Sequence, residues 1–140
     1  MSEKYSILLI EDDTPTAKEF IDYFKTLPDF EIVDVVDSGK KALEIIKRNT
    51  PSVLIVDIAL TESSGIILLG ALQNEKELPF RPYIIVTTII QAQATRRAVS
   101  AMADYFFGKE NPEFDPEVVA EHLYANRNKL PLKPVGMPIL

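Results

Sequence analysis

Residues 51–60 read P-S-V-L-I-V-D-I-A-L, and Val53-Leu54-Ile55-Val56 is apolar at every position before it meets Asp57. A strand with one wet face alternates apolar and polar side chains. An unbroken apolar run of strand length is covered on both faces, as central strands of parallel sheets are. A carboxylate at the end of such a strand costs free energy unless something there uses its charge. These two facts set the fold class and pose the functional question together.

The rest of the chain supplies the layers. Apolar strand-like runs alternate with amphipathic helical ones. Ser6–Ile10 reads as a strand and about Pro15–Thr26 as a helix, with Ala17, Phe20, Ile21 and Phe24 on one face, Thr14 as its cap and Pro15 at its first position. Glu31–Val35 is a second, more polar strand, expected near an edge. Ser38 caps a helix reaching about Asn49, with Ala42, Ile45 and Ile46 inward. After Val53–Val56 come a helix from Gly65 to about Asn74, a strand Tyr83–Thr87, a helix from Gln91 to about Met102, and a short strand Asp104–Phe107. Asp115-Pro116 opens a last helix ending near Asn128. Five strand–helix units predict an α/β fold, a doubly wound five-stranded parallel sheet with helices on both faces. The expected division is one domain over residues 1–130 and a proline-rich tail or start of a linker over 131–140, with Pro131, Pro134 and Pro138.

Composition narrows the function classes. The chain of 140 residues, 46% hydrophobic and 26% charged, has the make-up of an ordinary globular domain. It contains no apolar run of membrane-spanning length and no basic-then-apolar signal at its N-terminus, which points to the cytoplasm. Without cysteine it has neither a disulfide framework nor a thiolate metal site. A net charge of −6 argues against direct nucleic-acid binding, and ten residues after the domain leave no room for a helix-turn-helix. His122 is the single histidine, so a multi-histidine metal site within one chain is excluded and no Ser-His-Asp triad is evident.

In an open parallel sheet, ligands bind beyond the carboxyl ends of the strands. Glu11-Asp12-Asp13 follows strand one, Asp57 ends strand three, Thr87-Thr88 ends strand four, and Gly108-Lys109 follows strand five. Each has an ordinary explanation taken singly: acids favour a helix start, Asp57 suits a turn, Thr87 is β-branched, and Lys109 suits a solvated loop. Taken together those explanations are poor, because the predicted topology gathers all four at one edge. Two carboxylates about 4 Å apart repel by roughly 4 kcal/mol at an effective dielectric near 20. A bound cation relieves that, and an all-oxygen set of carboxylates is the ligand type Mg2+ prefers. A lysine and a hydroxyl facing the metal suit a tetrahedral anion, and a carboxylate beside them is a feasible nucleophile toward phosphorus.

The segments I-L-L-I-E-D-D, S-V-L-I-V-D-I-A-L-T-E-S-S-G, Y-I-I-V-T-T and A-D-Y-F-F-G-K, in that order and spacing over residues 5–130, resemble the receiver domain of two-component response regulators. The resemblance implies a flavodoxin-like fold and a phosphoacceptor, Asp57, that takes a phosphoryl group from a histidine kinase or phosphotransfer protein in a phosphorelay. It implies Mg2+ held by Glu11, Asp12, Asp57 and the backbone carbonyl of Ala59, with Asp12 a more direct ligand than Glu11. Asp13 is adjacent and suits a helix-end role. Thr87 resembles the switch hydroxyl, Lys109 the lysine that meets the phosphoryl oxygens, and Phe106 the switch aromatic. The implied output is a change in the face made by the fourth helix, fifth strand and last helix, which would dock a second copy or a downstream protein. On that face Arg96-Arg97 suits either a dimer contact or a solvated helix surface. The family is a signalling domain and not an enzyme, beyond catalysing its own phosphorylation and dephosphorylation.

The chain also departs from the family. Glu110 follows Lys109 where proline is usual, with Pro112 further on; Thr61 stands where proline is common; Thr88 replaces a small residue. Phe106 has no hydroxyl and can switch only by packing. Ala59 and Ile89, two residues after Asp57 and Thr87, offer no side-chain hydrogen bond to a hydrolytic water, which predicts slow self-dephosphorylation. Two rival readings are a receiver-like interaction module that is never phosphorylated and an aspartyl-nucleophile phosphatase. The second lacks its usual acid two residues after the nucleophile, where Ala59 stands.

Overall fold

The computed structural model describes residues 4–58, 65–88, 93–109, 114–131 and 134–135. The strands are β1 (Lys4–Ile10), β2 (Phe30–Val36), β3 (Val53–Asp57), β4 (Tyr83–Thr88) and β5 (Tyr105–Gly108). The helices between and after them are α1 (Thr14–Phe24), α2 (Gly39–Arg48), α3 (Gly65–Asn74), α4 (Gln93–Met102) and α5 (Pro116–Ala125), the last continued by a 3-10 turn at Arg127–Lys129. The five strands are parallel in the order β2-β1-β3-β4-β5. The chain therefore leaves β1 toward β2 and then crosses back past β1 to β3. The order of the strands thus reverses between β1 and β3, the place where open parallel sheets bind ligands.

Period-two alternation along the buried strands splits the core into two layers. Ile7, Leu9, Val53, Ile55 and Ile85 face α1 and α5, where they pack with Phe20, Phe24, Val119 and Leu123. Leu8, Ile10, Leu54, Val56, Ile84 and Val86 face the other way, packing with Ala42, Ile46, Leu68, Leu69 and Val99 from α2, α3 and α4. Every residue of β3 is buried, as its unbroken apolar run requires. β2 is an edge strand and leaves Glu31, Val33 and Asp34 exposed. A register shift opposite Ile7 and Leu8 leaves Val33 as an extra residue, a bulge that twists this edge away from further pairing.

One local expectation is corrected. Asp13, not Thr14, caps α1: its carboxylate accepts from the Thr16 backbone N–H at 3.0 Å, and Thr14 is already the first helical residue. A carboxylate at that position also favours the positive end of the helix. The tail adds a sixth strand, β6 (Pro134–Val135), antiparallel to β1, with Lys4 opposite Val135 and Tyr5 opposite Pro134. It uses the stretch of β1 that precedes the first residue paired with β3, Ile7. Glu110, Pro112, Thr61, Ile89, Gln91 and Pro138 lie outside the described residues. Among those described, no helix is long and apolar enough to cross a membrane.

Candidate functional site

Strand register assembles the site. Ile10 pairs with Val56, so Glu11 emerges from β1 beside Asp57 at the end of β3. Asp57 pairs with Thr87, and Thr88 pairs with Gly108. The Lys109 backbone N–H then donates to the Thr88 carbonyl at 2.8 Å, which carries the lysine back over the strand ends. Residues separated by up to 98 positions in sequence thus meet: Lys109 Nζ lies 2.7 Å from Glu11 Oε1 and 3.2 Å from Asp57 Oδ2. Glu11, Asp12 and Asp57 each offer a carboxylate oxygen, and these oxygens lie within 4.8 Å of one another.

The site is largely removed from water on the protein side. Glu11 is 4% exposed, Asp57 6% and Thr87 2%. Burial pushes the Glu11 carboxyl up; the Lys109 hydrogen bond opposes this and the Asp57 charge adds to it, leaving a pKa of about 7. Burial works against the Lys109 ammonium, but its hydrogen bond to Glu11 and the charge of Asp57 outweigh it and raise its pKa. The second Glu11 oxygen accepts from the Asp13 backbone N–H at 3.2 Å. Glu11 therefore ties the lysine to the β1–α1 turn. Asp12 is half-buried, the most exposed of the three acids. Beside it a cleft of about 530 Å³ opens between α1 and β2, floored by Ala17, Ile21 and Val35.

Three hard oxygen donors at this spacing fit Mg2+, with waters and a phosphate oxygen to complete its shell. Ala59, whose carbonyl the resemblance adds to this set, lies outside the described residues. Phe106 does not stand with the acids. It pairs with Val86, one residue before Thr87, and lies on the opposite face of the sheet against the α2–α4 core. His122 is remote from the site: its Nε2 lies 2.8 Å from the Tyr83 hydroxyl and its ring 3.9 Å from that of Tyr105.

The response regulator receiver domain family matches residues 7–122, and the chain belongs to that family. It is a receiver domain of two-component signalling with the flavodoxin-like fold. The family's domains bind Mg2+ at an acidic pocket and work with histidine kinases and downstream effectors. A protein-glutamate methylesterase/protein-glutamine glutaminase from Desulfotalea psychrophila is 27% identical over 96 residues, 68% of this chain. The chain matches 26% of that relative's length. The crystal structure of a LuxR-family DNA-binding response regulator from Staphylococcus aureus superposes with a TM-score of 0.75 at 23% identity, covering 86% of this chain and 97% of that one. The response regulator domain of Thermotoga maritima CheB gives 0.70 at 20% identity, covering 90% and 95%.

Two features escaped sequence reasoning. Gly65 starts α3 hard against the end of β3: a Cβ there would sit 2.8 Å from the Asp57 carbonyl oxygen and 3.0 Å from Ile58 Cα. Its N–H donates to the Ile58 carbonyl at 3.2 Å, which ties the start of α3 to the residue after the aspartate. The glycine at the end of T-E-S-S-G was the available signal. The second is that Lys109 sits nearer Glu11 than Asp57, which no spacing in the chain foretells.

Proposed function

We propose that this chain is a phosphoacceptor. An Asp57 carboxylate oxygen attacks the phosphorus of a phosphohistidine on a histidine kinase or phosphotransfer protein. The new O–P bond forms as the P–N bond breaks, and the departing imidazole keeps that electron pair and takes a proton from solvent. One observation carries the reading: Lys109 Nζ stands 3.2 Å from Asp57 Oδ2 beside three carboxylates gathered within 4.8 Å. Glu11, Asp12 and Asp57 would hold Mg2+, which neutralises charge on the phosphoryl oxygens when bound. Lys109 gives its ammonium to a phosphoryl oxygen, and its bond to Glu11 keeps it poised at the strand ends until then. The buried floor of β3 fixes the direction of the Asp57 side chain.

Thr87 turns its hydroxyl toward the new phosphoryl group, Phe106 repacks, and the face formed by α4, β5 and α5 changes its affinity for a second copy or a downstream protein. The domain covers residues 1–130 and works in the cytoplasm, with residues 131–140 as its tail. The test is intact mass after incubation with acetyl phosphate and Mg2+. Wild type should gain one phosphoryl group and Asp57→Asn none. A folded wild type that gains nothing, or an Asp57→Asn variant that gains as much, overturns the reading.

A further inference from the structure

Helix α4 is thinly anchored. Among its described side chains Val99 alone is wholly buried, while Gln93, Arg97, Ala98, Ser100 and Ala101 are exposed. By contrast α5 buries Pro116, Val119, Ala120 and Leu123. Among the same described side chains Arg96 and Met102 are half-buried; they flank Val99 at three-residue spacing and form one stripe with it. The Arg96 guanidinium carbon lies 5.1 Å from the centroid of the Phe106 ring on β5. That distance is a cation–π contact, and it links the helix to the strand at the residue assigned as the switch aromatic.

The position of this contact gives it leverage. Phe106 pairs with Val86, the neighbour of Thr87. Helix α4 begins at Gln93, shortly after Thr88. A movement at the end of β4 therefore reaches the Arg96–Phe106 pair across the ladder. Among the described side chains of α4 this contact adds to Val99, wholly buried, and Met102, half-buried against the same core.

We infer that Arg96 is the latch of this receiver: its guanidinium over Phe106 pins α4 to β5 and sets how readily the face formed by α4, β5 and α5 changes packing. The latch itself rests on geometry alone; its role in signalling rests on the proposed phosphorylation of Asp57. Arg96 is a positioning residue and touches none of the reacting atoms. Loss of the π face and loss of the cation should act through the same contact, so the two losses should not add.

The test is amide hydrogen exchange on the full chain, for wild type, Arg96→Gln, Arg96→Lys, Phe106→Leu and the double variant Arg96→Gln/Phe106→Leu. Arg96→Gln and Phe106→Leu should each speed exchange in α4 about two- to five-fold, the size of a partly exposed cation–π contact. The double variant should be no faster than the faster single one, Arg96→Lys should keep most of the protection, and α1 and α5 should not change. Unchanged α4 exchange in Arg96→Gln, or additive effects in the double variant, overturns the latch. The same measurement after acetyl phosphate and Mg2+ tests the signalling role. Wild-type α4 should then exchange differently, and Arg96→Gln should respond less, because its helix is already released. A phosphorylated wild type with unaltered α4 exchange overturns that role. A wild type that gains no phosphoryl group by mass overturns the proposed function and the signalling role with it, a result distinct from failure of the latch.

Discussion

The two sides of the sheet are built to different standards. On the α1–α5 side aromatic rings run without a break from one helix to the other: Phe20 and Phe24 stack at 6.1 Å, Phe24 meets Phe30 edge-on at 6.4 Å, and Phe30 meets Tyr124 edge-on at 5.0 Å. Tyr124 closes the series with a hydroxyl donated to Asp29 at 3.0 Å. On the other side the described side chains of α4 bury Val99 fully and Met102 in part, with an arginine laid over a ring. Burying a large apolar side chain contributes about 1.5–3 kcal/mol, several times a half-exposed cation–π contact. The lesson is a division of labour within one sheet. In the proposed function the aromatic side supplies the rigidity that aims Asp57, and the α4 side the element that moves. Asp57 shares its strand face with the first side and, on that proposal, signals to the second.

The sharpest way to break this comparison is to cut one apolar side chain from each side. Phe24→Ala should lower the free energy of unfolding by about 3–5 kcal/mol, and Val99→Ala by about 2 kcal/mol, measured by urea denaturation. Val99→Ala should nonetheless speed exchange in α4 far more than Phe24→Ala does. Equal costs, or a global loss from Val99→Ala larger than from Phe24→Ala, would remove the distinction.

Magnesium should sharpen it from the rigid side. Binding to the folded state alone adds about 2.7 kcal/mol at roughly a hundred times the dissociation constant. A thermal melt should rise with Mg2+ in wild type and much less in Asp12→Asn. Because Glu11 takes up a proton near pH 7, the rise should be smaller at pH 5.5 than at pH 8.

Gly65 lies where the two sides meet. A methyl group there faces backbone at 2.8 and 3.0 Å, which cannot rotate away. Gly65→Ala should cost about 1–3 kcal/mol and slow phosphoryl uptake by displacing the end of β3, as followed by denaturation and by intact mass. A variant as stable as wild type would show that α3 can give way.

The smallest effect is expected from acid. Burial first, and Lys129 second, hold the His122 pKa below its ordinary value of 6.5. The unfolded chain therefore binds this proton more readily than the folded one. Stability from neutral His122 is complete above pH 6.5 and is lost as pH falls through the lowered folded value. Its ring joins α5 to Tyr83 and Tyr105, so acidification should loosen α5 and leave α4 exchange as it was. His122→Gln should flatten this part of the urea midpoint–pH curve, and an unchanged slope would place the titration elsewhere.

Much of this was legible in the chain. Period-two and period-3.6 patterns are local, so the unbroken run at Val53–Val56 announced a central strand, polar Glu31–Val35 an edge, and Ser38 and Asp115 their helix starts. Each of these stands in the structure. The identity of α1's cap was harder, because Asp13 and Thr14 are both able to cap and only the path of the first turn selects one. The bulge at Val33 and the pairing of Pro134–Val135 with β1 depend on where partner strands start and stop, which no local pattern records.

For the site the sequence by itself determined the inventory: which acids, hydroxyl and ammonium end the strands, since strand ends follow from periodicity and charge. Tertiary structure decided the distances. It set Lys109 closer to Glu11 than to Asp57, pressed Gly65 onto the aspartate's carbonyl, and laid Arg96 over Phe106 on the far face. Those contacts join residues of different elements, and their lengths follow from register and core packing, which only the whole fold specifies at once.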